Sequence, residues 1–188
     1  MRNFMLIISV CGVLFSCATR DTERNYGITA EAEEEIIVAS SLVINEFAPK
    51  SKLLNEFGEE ADWIELFNNS DEVLEINSAW SLTDDENNLL KYVLPDTILQ
   101  PGAHLLIWCD EQFSDTAIWH AGFKLNGNGE TIYLCKNEVI VDEVSYDDDI
   151  KKSCSYGRSA DGTQDWEKFK EPTPGNSNQL LEHYAESL

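Results

Sequence analysis

The chain has 188 residues, of which 43% are hydrophobic and 10% aromatic, so global disorder is excluded and a core of one domain is the expectation. Thirty-five acidic residues stand against 13 basic ones, for a net charge of -22. That balance repels phosphate backbones and anionic headgroups at long range, which argues against nucleic acid as a partner and for a solvated acidic surface.

In chain order, residues 1–16 read as a leader: Arg2, then an apolar run from Phe4 to Phe15. The run is too short for a hydrocarbon core that needs about 20 helical residues, so it predicts a signal peptide and not a membrane-spanning helix. It stops at Leu14-Phe15-Ser16-Cys17, which resembles a bacterial lipobox. The resemblance implies cleavage before Cys17 and a diacylglyceryl group on its thiol, with several acyl chains holding the protein to a membrane. Ala18, where an aspartate would retain a lipoprotein in the inner membrane, is compatible with the outer membrane. Residues 17–40 carry the acidic block Glu31-Ala-Glu-Glu-Glu35 and predict an extended tether.

From Ser41 the pattern has period two, with turn residues between the runs, as expected for half-buried antiparallel strands. Leu42, Ile44 and Glu46 alternate with Val43, Asn45 and Phe47; Trp63, Glu65 and Phe67 with Ile64 and Leu66; Leu105, Ile107 and Cys109 with Leu106 and Trp108. Asn68–Asp71, Asp84–Asn88, Gln100-Pro-Gly102 and Asn126-Gly-Asn-Gly129 supply turns, because Asn and Gly tolerate the positive φ of tight reversals. About seven such strands predict an all-β, immunoglobulin-like sandwich over residues 41–178, with 179–188 as a C-terminal tail.

Several ordered segments resemble the lamin tail domain. They are Leu42–Phe47, Asp62–Asn68, Trp80–Asp84, Leu99–Gly102, Phe123–Glu130, Val141–Val144, Ser155–Arg158, Asp161-Gly162, Trp166 and Thr173–Asn176. The resemblance spans roughly Ser41 to Asn178 and implies a binding or scaffolding module. The coiled-coil rod of nuclear lamins is absent, so filament assembly does not carry over.

Candidate sites are few. Asp110–His120 departs from the family pattern and embeds Phe113 and Trp119, which makes it a candidate binding loop for a protein or glycan partner. Asp84–Asn88 and Asp147–Asp149 offer hard oxygens for calcium, but lack EF-hand spacing and read first as solvated turns. Glu46, Asp62 and Glu65 suggest carboxylate pairs, yet fall on motifs that the resembled fold uses for its own hydrogen bonding. His104, His120 and His183 lack the spacing of a zinc site, and no nucleophile elbow is present, so neither catalysis nor a resident cofactor or metal is expected. Cys109, Cys135 and Cys154 allow at most one disulfide, and the first two read as small buried hydrophobes. Trp63, Trp80, Trp108 and Trp166 read as core, whereas Trp119 is a candidate platform for a sugar ring. The function expected is that of a noncatalytic, lipid-anchored envelope protein that binds or scaffolds another macromolecule, with a calcium- or carbohydrate-binding accessory to a hydrolase system as the alternative.

Overall fold

A computed structural model describes residues 40–112, 119–147 and 150–178. The leader, Cys17 and the tether up to residue 39 lie outside the described residues, as do Phe113, Asp148, Asp149, His183 and the tail from 179 to 188.

The described residues form strands and turns without a helix. The elements are β1 (Leu42–Ala48), β2 (Asp62–Asn68), β3 (Leu74–Ile76), β4 (Trp80–Thr83), β5 (Tyr92–Val93), β6 (Thr97–Leu99), β7 (His104–Cys109), β8 (His120–Ala121), β9 (Gly129–Lys136), β10 (Val139–Asp147), β11 (Ser155–Arg158) and β12 (Trp166–Phe169). One sheet runs β12-β11-β1-β2-β7-β8, a second runs β10-β9-β4-β5, and β3 pairs with β6 in a short ribbon. All pairings are antiparallel except β7 with β8. Two sheets sharing one apolar core make the immunoglobulin-like sandwich that the strand pattern predicts. The additional elements beyond seven are mostly pieces of two to four residues.

The core joins Leu42, Ile44, Phe47, Ile64, Leu66 and Ile107 of the larger sheet to Trp80, Leu82, Ile132, Leu134 and Val144 of the smaller one. Each such aliphatic side chain contributes about 1.5–3 kcal/mol by leaving water. The alternation expected for β1 is corrected at one point. A bulge between Ile44 and Glu46 inserts one residue, so the phase shifts, Phe47 joins Leu42 and Ile44 in the core, and Glu46 turns to the opposite face. The idea of half-buried strands is corrected too: every residue of β1 is buried, and so is every residue of β2 after Asp62. On the second face of these central strands the chain that follows β12 caps Glu46 and Glu65 through Thr173 and Gly175, so this face buries carboxylates beside Trp63 and Phe67.

An ion pair on a buried arginine ties the two sheets. Arg158 of β11 is 2% exposed and donates through Nη2 to both oxygens of Asp142 on β10, at 3.0 and 2.9 Å. Its Nε donates to the carbonyl of Ile44 at 2.7 Å, and its guanidinium stacks 4.9 Å from the Trp166 ring. Asp142 also accepts from the amide of Ile44 at 2.7 Å, so one carboxylate satisfies both the cation and a main-chain donor of the other sheet.

Candidate functional site

Two groups of titratable side chains emerge from this fold. The first lies under the chain following β12. Glu46 and Glu65 face each other across the β1–β2 pair, both with no exposed surface. Glu46 accepts from the Ser155 hydroxyl, from the Thr173 hydroxyl at 2.7 Å and from the Thr173 amide at 3.1 and 3.2 Å. Glu65 accepts from Asn45 at 3.0 Å and from the Gly175 amide at 2.6 Å. Burial pushes the Glu65 carboxyl up to about 7 and raises Glu46 as well, against these hydrogen bonds.

His104 stands beside them, its Nε2 at 3.4 Å from Asp161 and 3.9 Å from Glu65. Burial works against its cation, but the two carboxylates outweigh it and raise its pKa. Burial also works against ionised Asp161, yet the His104 ring at 3.4 Å and donors from Ser177, Asn178 and Asn45 hold it well below the usual carboxylate range. Carboxylates sealed from solvent and satisfied by their own chain close the sheet face; they offer no access to a substrate. Asp62, the third carboxylate singled out from the sequence, lies at the start of β2, where burial pushes it up to about 7. It accepts from the Ser51 amide at 3.4 Å and takes no part in the cluster.

The second group carries an exposed surface. Between β1 and β2 the chain makes a small hairpin-like excursion, with a bridge from Leu54 to Glu60 and a reversal at Gly58, whose φ of +79° suits glycine. Asn55, only 5% exposed, shapes it: its Oδ1 accepts from the amides of Phe57 and Glu59, both at 3.0 Å, and its Nδ2 donates to Asp110 at 3.0 Å. The backbone closes with Asn55 N to Glu59 O at 2.9 Å and Ala61 N to Leu53 O at 3.1 Å. The tip presents Leu54 and Phe57 at 56% and 50% exposure, with Leu53 beside them.

A fully buried histidine fastens this tip to β7 and β8. His120 Nδ1 lies 2.9 and 2.8 Å from the two oxygens of Asp110, and Nε2 lies 2.9 Å from Glu56 on the tip. Ionised carboxylates only accept, so a ring bonded on both nitrogens is the doubly protonated imidazolium. Burial disfavours that charge, but the two hydrogen bonds outweigh it and raise the His120 pKa. The Phe57 ring packs 5.4 Å from the imidazole.

The family model described as Lamin Tail Domain matches residues 37–148. The chain belongs to the lamin tail domain family. No curated protein matches it. Such a domain is a noncatalytic immunoglobulin-like module, in keeping with a sandwich whose buried acids serve the fold. The tip and the His120 clasp lie inside the matched lamin tail segment, whereas Ser155, Arg158 and Thr173, which complete the buried polar face, follow it.

The residues singled out from the sequence distribute themselves over this lamin tail domain as follows. Trp119 is half-buried and packs against the core, with its carbonyl accepting from the Trp108 amide at 2.9 Å. Trp63 is fully buried, and its Nε1 donates to Ser51 at 3.1 Å, while Trp80 lies under Lys136. Trp166 packs against the core, and Trp108 is half-buried near His120. Asp84 pairs with Lys91 at 2.5 Å and Asp85 accepts from the Asn87 amide at 2.9 Å, so this acidic turn is engaged with its own chain. Among the described residues no group of three His, Cys, Asp or Glu side chains is arranged to hold a metal. Cys109, Cys135 and Cys154 are free thiols, the first two buried.

The Glu56–His120–Asp110 clasp escapes sequence reasoning, because its members are 64 and 10 residues apart and no local spacing marks them. The apolar residues Leu53, Leu54 and Phe57 in the otherwise polar stretch from Lys50 to Asp62 were a visible signal.

Proposed function

We propose that the chain is a noncatalytic envelope protein, lipid-anchored through Cys17 in the outer membrane, whose lamin tail domain grips a protein partner with the Leu53–Phe57 tip. The observation that carries this reading is the exposure of Leu54 and Phe57 on a loop whose backbone is pinned by Asn55 and His120. A preorganised apolar anchor loses little conformational entropy on binding, which is what an interface hot spot requires. Glu56, Glu60 and Glu111 around that end pair with His120, Lys152 and Lys124, so the partner's complement is an apolar socket for Leu54 and Phe57. The anchor rests on the leader and on the Leu14–Cys17 motif, and the acidic segment after it would hold the domain clear of the bilayer.

The test places a photo-crosslinking residue at Phe57, or at Ile98 on the β3–β6 ribbon, in the full chain in its native host. A discrete protein adduct from position 57 alone, lost on adding Leu54→Asp, is the expected result. No adduct, or the same adducts from both positions, would overturn the tip. Intact mass on the same samples, beside a Cys17→Ala variant, reads the anchor separately: acyl mass on the wild type only is expected, and an unmodified wild type refutes it.

A further inference from the structure

Basic residues are scarce here, and their distribution is uneven. Residues 40–178 hold ten of them, and four, Lys151, Lys152, Lys168 and Lys170, lie on β12 with its exit and on the turn between β10 and β11. Most of the ten are engaged. Lys91 pairs with Asp84 at 2.5 Å, Lys124 with Glu111 at 3.2 Å, and Arg158 with Asp142 at 2.9 Å. Lys50 donates to the Ile150 carbonyl at 3.1 Å, Lys136 lies over Trp80, and Lys152 approaches Glu60 at 3.8 Å. Lys151 and Lys170 have no acidic partner among the described residues.

These two lysines, together with Lys168, line one cavity of about 180 Å³ with Ile150, Phe169 and Cys154. Its floor is apolar: Ile150 is 2% exposed and Phe169 6%. A neighbouring cavity shares Ile150 and Lys168, and its wall includes Asp147, so the anion-attracting part of the cleft is the side of Lys151 and Lys170.

We propose that this cavity binds a small organic anion, a carboxylate joined to a short apolar body. The ammonium groups of Lys151 and Lys170 take the carboxylate while Ile150 and Phe169 receive the apolar part, the division of labour usual in small-molecule pockets. The volume equals the liquid space of about six water molecules, which suits a ligand the size of benzoate. A polyanion is disfavoured because the whole chain carries -22, whereas a single charge seated between two lysines without an acidic partner among the described residues feels mainly their local field. Inorganic phosphate would satisfy the lysines but leave the apolar floor unused.

Titration of benzoate into the full chain, with benzyl alcohol and inorganic phosphate as controls, tests the site. Binding with a dissociation constant in the range of about 1 mM or tighter is expected, weaker for both controls. The paired substitution Lys151→Gln and Lys170→Gln should weaken benzoate by about tenfold or more, with the melting temperature unchanged. Benzoate should also slow alkylation of Cys154, the half-buried thiol in the cavity wall. The proposal falls if benzoate does not bind, if it binds the paired variant equally well, if Cys154 is not protected, or if phosphate binds as tightly as benzoate.

Discussion

The His120 clasp should open with pH, and the direction follows from the geometry. In the closed state the imidazolium donates to Asp110 on one side and to Glu56 on the other. His120 has its folded pKa raised above 6.5, so its contribution is fully present below 6.5 and is lost as pH rises through the folded value. Glu56 is the complementary case: burial works against its charge, but hydrogen bonds to the backbone and His120 hold it below 4.5. Its contribution is present above 4.5 and is lost as pH falls through the folded value. The clasp is therefore tightest between those two limits.

Above the folded pKa of His120 the ring keeps one proton. That proton stays on Nδ1 and is donated to Asp110, because this carboxylate is 8% exposed and also held by Asn55, whereas the Glu56 side chain is 51% exposed and can turn to water. The lost bond is worth about 0.5–1 kcal/mol after discounting for that exposure, a factor of about two to five in the opening of the tip. The assay is a pH titration of the His120 ring carbon by NMR, with hydrogen exchange at the amides of Asn55 and Gly58, which close the loop onto Glu59 and Asn55. Glu56→Gln should lower the His120 pKa and speed that exchange near neutral pH. A ring titrating at or below 6.5, or tip amides indifferent to both pH and Glu56→Gln, would refute the reasoning.

Asp142→Asn should destabilise the domain by about 3–5 kcal/mol in urea unfolding, because it leaves the Arg158 cation buried without its counter-charge. Adding Arg158→Met should recover part of that loss, and a single-variant cost below about 1 kcal/mol would mean that the pair does not join the sheets. Asp62, with an unfolded value of 3.8 and a folded value of about 7, favours the fold when protonated; its contribution is full below 3.8 and is lost as pH rises toward 7. Asp62→Asn should therefore melt with the wild type at pH below 3.8 and above it at pH 8, by calorimetry; equal melting at both would show that the carboxyl is not desolvated.

Much of the fold is legible along the chain because β-strands announce themselves locally. Ile64 and Leu66 enter the core while Trp63, Glu65 and Phe67 turn away, as their alternation demands, and Ile107 and Cys109 do the same on β7. Glycine marks its turn equally locally: Gly129 closes Asn126–Gly129 at φ +103°, where an added Cβ would fall 2.6 Å from the Tyr146 carbonyl. The bulge in β1 was not legible, since nothing in Ile44-Asn45-Glu46 distinguishes an inserted residue from the next step of the pleat.

What the sequence determined by itself is the sandwich, the lamin tail family and the acidic character, each a property of residues near one another or of simple counts. Only the tertiary structure decided that Glu46 and Glu65 are sealed by Thr173 and Gly175, or that Glu56, Asp110 and His120 converge. Only there, too, do Lys151 and Lys170 share a cavity. The reason is physical: periodicity and turn chemistry act over a few residues, whereas a buried charge is stabilised by whichever donors folding brings to it, from any distance along the chain.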